Sequence, residues 1–178
     1  MSDDDAAKPE IEGHYGGTVE YTQTVEDAAA ETVRDLGEAE LERIASEASR
    51  LRDWSERYPH EAVTPGQVSI PILDFLWNEW LDDERPDRPS GEEAIRVLGS
   101  AFGHLLTLEL DMRWVEVTDQ YGTAVGVRAG VGDVTGYPYS SVEKRVETGG
   151  RYFFGDIHSV LAAQIAEARE TGDPSAGQ

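Results

Sequence analysis

Four histidines stand in this chain, His14, His60, His104 and His158, and none lies at a spacing that would hold a metal ion. There is no His-x-His and no His-Glu-x-x-His, the patterns that place two imidazoles on one face. Asp156 and His158 are two apart, and residues two apart on a helix do not share a face, so they read as a capping Asp and an ordinary helical His. His104 falls near an apolar helix face and reads as a partly buried histidine. Serine nucleophiles need an exposed elbow, and no Gly-x-Ser-x-Gly occurs. Gly130-x-Gly132 lacks the third glycine and following helix of a phosphate cradle. With no cysteine, disulfides, thiolate nucleophiles and cysteine-ligated metals drop out. Asp3 to Asp5 precede no calcium-type loop. The 36 acidic side chains are too many for closeness in sequence to single out a catalytic carboxylate pair. No metal and no cofactor is expected.

One cluster stands out by composition. Trp114, Asp119, Tyr121 and Arg128 lie within fifteen residues, with Tyr137 and Tyr139 just beyond. Aromatics interleaved with arginine are the make-up of binding hot spots, so these six are the candidate binding residues. The competing reading is that Trp114 packs on helices and Asp119-Gln120-Tyr121-Gly122 builds a turn. Trp77 and Trp80 pose the same choice between helix core and groove lining.

Elements must position these residues. Leu41, Ile44, Ala48 and Leu51 recur at helical spacing and predict a helix from Glu38 to about Trp54. The Ala-rich stretch Val25 to Leu36 predicts a further helix, broken by Gly37. Pro71 suits the first turn of a short helix whose apolar residues run from Ile72 to Leu81. Ser90 and Glu93 form a capping box that opens a long helix through Leu108. Within it Gly99 and Gly103 let another element approach closely. After Leu110 the apolar period changes to two, which predicts strands over Met112 to Thr118 and Thr123 to Ala129. Asp119 first and Gly122 fourth suit a type I turn between them. Val134 to Tyr137 reads as a third, shorter strand. Ser140-x-x-Glu143 is a second capping box, for a helix that stops at Gly149-Gly150, and a last helix runs from about Asp156 to Arg169, with Ile157, Val160, Leu161 and Ile165 inward.

This order predicts an α+β fold in which amino-terminal and carboxy-terminal helices pack on a small antiparallel sheet centred on a hairpin. Residues 18–170 form its single domain, between tails at 1–17 and 171–178. The segments Val97 to Gly103, Met112 to Val115, Asp119 to Gly122, Tyr137-Pro138 and Ser141 to Arg145 resemble a bacterial family known only as a domain of unknown function. That family runs from an LGxAFG helix into a W-V-x-V-x-D-x-Y-G hairpin and a V-x-K-R helix. The likeness covers about residues 90–149 and implies a globular domain without an assigned activity.

The net charge is −21, with 17 acidic and 6 basic residues up to residue 61 and 19 and 9 after it. Nucleic acid and anionic membranes are disfavoured as partners, because phosphate binding needs a basic patch. The acidity fits solubility, salt adaptation or mimicry of a polyanion. No apolar run approaches the ~20 residues that cross a bilayer, and the acidic start, Met1 to Asp5, does not read as a secretory leader. A cytoplasmic location is expected. The functional expectation is a non-catalytic protein-interaction module. The alternative is a small-molecule binder or enzyme whose site assembles from dispersed residues.

Overall fold

The computed structural model describes residues 31–61 and 63–172. Among them the elements follow as β1 (Thr32–Asp35), α1 (Glu38–Ser49), α2 (Leu51–Arg57), α3 (Ile70–Asp82), α4 (Gly91–Glu109), β2 (Met112–Asp119), β3 (Gly122–Ala129), β4 (Thr135–Gly136), α5 (Pro138–Thr148) and α6 (Phe154–Thr171). The strands form one antiparallel sheet in the order β1-β2-β3-β4. The fold is α+β, as the sequence predicts.

The hairpin forms where the apolar period is two. Met112 pairs with Ala129 and Asp119 with Gly122, so the loop is Gln120-Tyr121. Asp119 closes it, its Oδ1 accepting the Tyr121 N–H at 2.7 Å. Gly122 follows at a φ of 130°, which glycine adopts without strain. In β2, Met112, Trp114, Glu116 and Thr118 point to one face; opposite them on β3 stand Ala129, Val127, Val125 and Thr123. That face carries the helices. Met112, Trp114, Val127 and Ala129 join one apolar core with Leu76, Trp77, Leu98, Phe102, Phe154 and Leu161.

Gly99 and Gly103 of α4 provide the close approach expected of them. A methyl group at Gly103 would overlap the Trp114 six-membered ring and touch Pro138 Cγ at 3.0 Å. One at Gly99 would meet Tyr139 Cδ1 at 2.7 Å. The Ser90 cap also forms, its Oγ accepting from the Glu93 N–H at 3.1 Å.

Several elements differ from the sequence reading. Residues 32–35 of the expected Val25–Leu36 helix are the edge strand β1, because Thr32 and Val33 are β-branched and pair with Thr118 and Val117. Glu31 and Leu36, on either side of that strand, belong to no helix, and residues 25–30 lie outside the described residues, as does the tail at 1–17. The Glu38–Trp54 helix breaks at Arg50, whose N–H bonds to Glu47 O, three residues back. There the Ser49 hydroxyl also takes the Ser46 carbonyl, an alternative to the helical ladder. The second capping box is absent: α5 starts at Pro138, so Ser140 falls inside its first turn. Leu41, Leu108, Val160 and His104, all placed at inner faces by periodicity, are exposed. Thr171, expected in the tail, ends α6, and the tail beyond Gly172 lies outside the described residues.

Candidate functional site

Strand alternation divides the six candidate binding residues. Trp114 and Tyr139 come together on the helix side, ring centroids 5.8 Å apart, over the notch left by Gly99 and Gly103. Asp119, Arg128 and Tyr137 belong to the opposite, helix-free face, where Tyr137 lies over Gly126. Arg128 bonds Glu31 at 2.6 Å and Asp133 at 2.5 Å. Tyr121 stands alone at the hairpin tip, 88% exposed. The structure therefore gives Trp114 and Tyr139 packing positions and leaves Tyr121 free to meet another surface.

On the helix side Tyr139 belongs to a buried polar cluster that sequence spacing does not reveal. Ser100 Oγ lies 2.8 Å from Tyr139 Oη and 2.9 Å from Glu47 Oε2, and Tyr139 Oη lies 3.3 Å from the same carboxylate. A hydroxyl between a phenol and a carboxylate has the parts of a proton relay. Its environment points to another role. Ser100 is fully buried, and burial pushes the Tyr139 phenol up to about 12, so it stays protonated at neutral pH. The cluster holds α1, α4 and α5 together, and each buried polar atom in it has a partner.

A third arrangement closes the far end of α3. Asp83 is buried with its carboxylate between Arg85 (Oδ1 to Nε, 2.7 Å), Arg57 (Oδ2 to Nη2, 3.1 Å) and the Tyr58 hydroxyl (2.8 Å). The Arg85 hydrogen bond foremost, with those from Tyr58 and Arg57, holds this carboxyl far below the usual range. Arg57 also forks onto Asp87, and both arginines lie over the Tyr58 ring. Beside this cluster runs a surface groove of about 480 Å³ lined by Tyr58, Glu79, Asp82, Asp83, Glu84 and Arg85. Of its charges, Asp83 and Arg85 pair with each other and Asp82 with Arg151 beyond the lining.

Residues 74–153 match the family model of a domain of unknown function, DUF3806. No curated protein and no solved structure matches the chain. The DUF3806 segment runs from within α3 to the residue before α6, and contains the stretch whose motifs resemble a family of unknown function. β1, α1 and α2 lie outside it. Glu47 and Arg57 therefore reach into the DUF3806 segment from outside, to Ser100 and Tyr139 in one case and to Asp83 in the other.

Asp74, at the edge of the DUF3806 segment, caps α6 from a distance, its carboxylate accepting the Phe154 N–H at 3.4 Å. Asp156 does not cap that helix. Burial pushes the Asp74 carboxyl up, and the Phe154 and Gly155 amides only partly offset it. His158 Nε2 lies 2.9 Å from Glu109 Oε2, without hydrogen-bond alignment. Among the described residues, no group of three or more His, Asp or Glu side chains is placed to share a metal ion, and no helix is long and apolar enough to cross a membrane.

Proposed function

We propose that the chain is a protein-interaction module, without catalysis of its own, that meets its partner at the β2–β3 hairpin tip. The observation that carries this reading is Tyr121, 88% exposed on a turn whose backbone Asp119 holds from within. A tyrosine presented this way offers large contact area at little cost in lost freedom, because the backbone beneath it is already ordered. Supporting it, the side chains with chemical potential are engaged with one another: Glu47 with Ser100 and Tyr139, Asp83 with Arg57, Arg85 and Tyr58. The groove beside Asp83 is open and acidic, unlike the enclosed apolar cleft a small molecule fills. A net charge of −21 selects a partner with a basic rim around the pocket that takes Tyr121, and disfavours nucleic acid and anionic lipid. The same reading takes residues 18–170 as one domain working in the cytoplasm.

The test is a photo-crosslinking residue placed at Tyr121 in the native host, compared with the same residue at exposed Val160 on α6. The expected result is one discrete adduct from position 121 and none from 160. With the adduct identified and purified, Tyr121→Ala should weaken binding by about tenfold or more, the range of an aromatic anchor. Identical crosslinking from both positions, or unchanged affinity, refutes the reading.

A further inference from the structure

The helices cover one face of the sheet, yet the other face is also buried. Val115 and Val117 point away from the helices and are 0% and 2% exposed. Neither belongs to the core that the helices build with Met112, Trp114, Val127 and Ala129. Their neighbours on β3 are Gly126 and Ala124, too small to roof them, and of the described side chains Tyr137 lies over Gly126, the partner of Val115. On β1 they face Asp35, which is drawn to Arg113, and Val33. Arg128, on the same face, keeps only 12% of its side chain exposed. Two valines and an arginine this deeply buried need a cover that no helix supplies.

The chain's direction says where that cover comes from. Thr32 pairs with Thr118 beside the hairpin tip, whereas Arg128 pairs with Arg113 at the opposite end of the ladder. Glu31, the residue just before β1, nonetheless bonds Arg128 at 2.6 Å. The chain entering β1 is thus tied across the helix-free face, and thirty residues precede Glu31. An extended stretch of eight residues spans roughly 26 Å, the length of the hairpin strands. Thr18 to Val25 has the composition for it, with apolar Val19, Tyr21 and Val25 alternating with Thr18, Glu20, Thr22 and Thr24. We propose that the chain's own amino-terminal segment seats on the helix-free face of the sheet, with Val19, Tyr21 and Val25 covering Val115 and Val117. The sheet then lies between the helices and this segment, and the face is closed to other occupants while the segment is seated.

The test uses the full chain, which has no cysteine of its own, so one introduced thiol reports alone. In Val117→Cys the thiol should react slowly with a maleimide at every protein concentration. Adding Val19→Ser, Tyr21→Ser and Val25→Ser should speed it about tenfold or more, while a helix-side Val127→Cys thiol keeps its rate and reports that the fold persists. A fast thiol in the chain with an intact segment overturns the proposal by showing an open face. Protection that grows with concentration overturns it in favour of a second copy, and a rate indifferent to the three serines overturns it as well. A second measurement avoids perturbing the contact: a nitroxide on Thr22→Cys should broaden the methyl resonances of Val115 and Val117 and spare those of Leu161 and Ile165. Equal broadening at both places, or none, refutes it.

Discussion

The tightest steric contact on the helix side is between α4 and the hairpin, and it makes a prediction whose sign is informative. Replacing Gly103 by Ala inserts a methyl into Trp114 Cη2 and Cζ2, well inside the ~3.5–4.0 Å at which carbons rest in contact. Trp114 has little room to retreat, because Tyr139 stands beside it and its backbone is paired with Val127. Overpacking of this kind costs ~1–3 kcal/mol. A mid-helix Gly→Ala change returns about 1 kcal/mol in helix propensity. The upper part of the first range applies, since the overlap falls on a ring rather than a flexible chain end. The net is a loss of about 1–2 kcal/mol, a urea midpoint lowered by roughly 0.5–1 M for an m-value of ~2 kcal/mol/M. Trp114→Phe removes the atoms in conflict, so the double variant should lose ~1 kcal/mol or more less than the two singles added together. Urea unfolding of the four proteins measures the cycle. If Gly103→Ala alone stabilises the protein by its propensity gain, or if the two changes add within ~0.5 kcal/mol, the notch is not filled by Trp114 and the reasoning fails.

Other expectations follow from the same geometry. Trp54 Nε1 is buried without a hydrogen-bond partner among the described residues, whereas Trp77 Nε1 donates to Gly150 O at 2.8 Å. Trp54→Phe should therefore cost about 1–2 kcal/mol less than Trp77→Phe in urea melts, the difference being the unpaired donor it removes. Hydrogen bonds from Arg85, Arg57, Arg151 and Arg34 hold Asp83, Asp87, Asp82 and Glu40 below their ordinary range, Glu40 at about 2. Their contribution is complete above the unfolded carboxyl value of ~4 and disappears as pH falls toward these lowered values, so the urea midpoint should drop between about pH 4 and pH 2. Asp74 has the opposite sign, because burial penalises its charged form and that penalty is present at neutral pH. Asp74→Asn should raise the midpoint at neutral pH, and the gain should close as acid protonates the native Asp74. An ultraviolet titration should lose a phenol transition near pH 12 in Tyr139→Phe, with Ser100 and Glu47 left in place. An unchanged titration curve would mean that the surroundings of Tyr139 do not raise its phenol.

The parts legible in the sequence are those whose signal is local. Alternation from Met112 to Ala129, the Ser90 cap and the apolar run from Ile72 lie in neighbouring residues, and each produced the element it predicts. β1 escaped because four exposed residues on an edge strand carry no inward–outward pattern, and their partners lie eighty or more positions away. Long-range polar contacts were hidden for the same reason. Ser100 meets Glu47 across 53 positions and Tyr139 across 39, and the only hint is Gly99, the small residue that lets Tyr139 in. Within the acidic run Asp82-Asp83-Glu84 the residues look equivalent, yet only Asp83 turns inward, toward Arg57 at the end of α2 and Tyr58 just after it. As for the six binding candidates, composition picked a hairpin, but alternation separates them, and period two could already have placed Trp114 and Arg128 on opposite faces.

The family match ends where the molecule's wiring does not. Cutting the chain at residues 74 and 153 would strip Glu47 from Ser100 and Tyr139, which would keep only each other, and Arg57 and Tyr58 from Asp83, which would keep only Arg85. It would also turn β2 from an inner strand into a bare margin, with the amides and carbonyls that now pair with Thr32–Asp35 offered to any passing strand. The eighty-residue segment is a stretch of shared sequence rather than a severable part. In this chain the segment takes a counter-charge, Arg57, and a sheet edge, β1, from the residues before it.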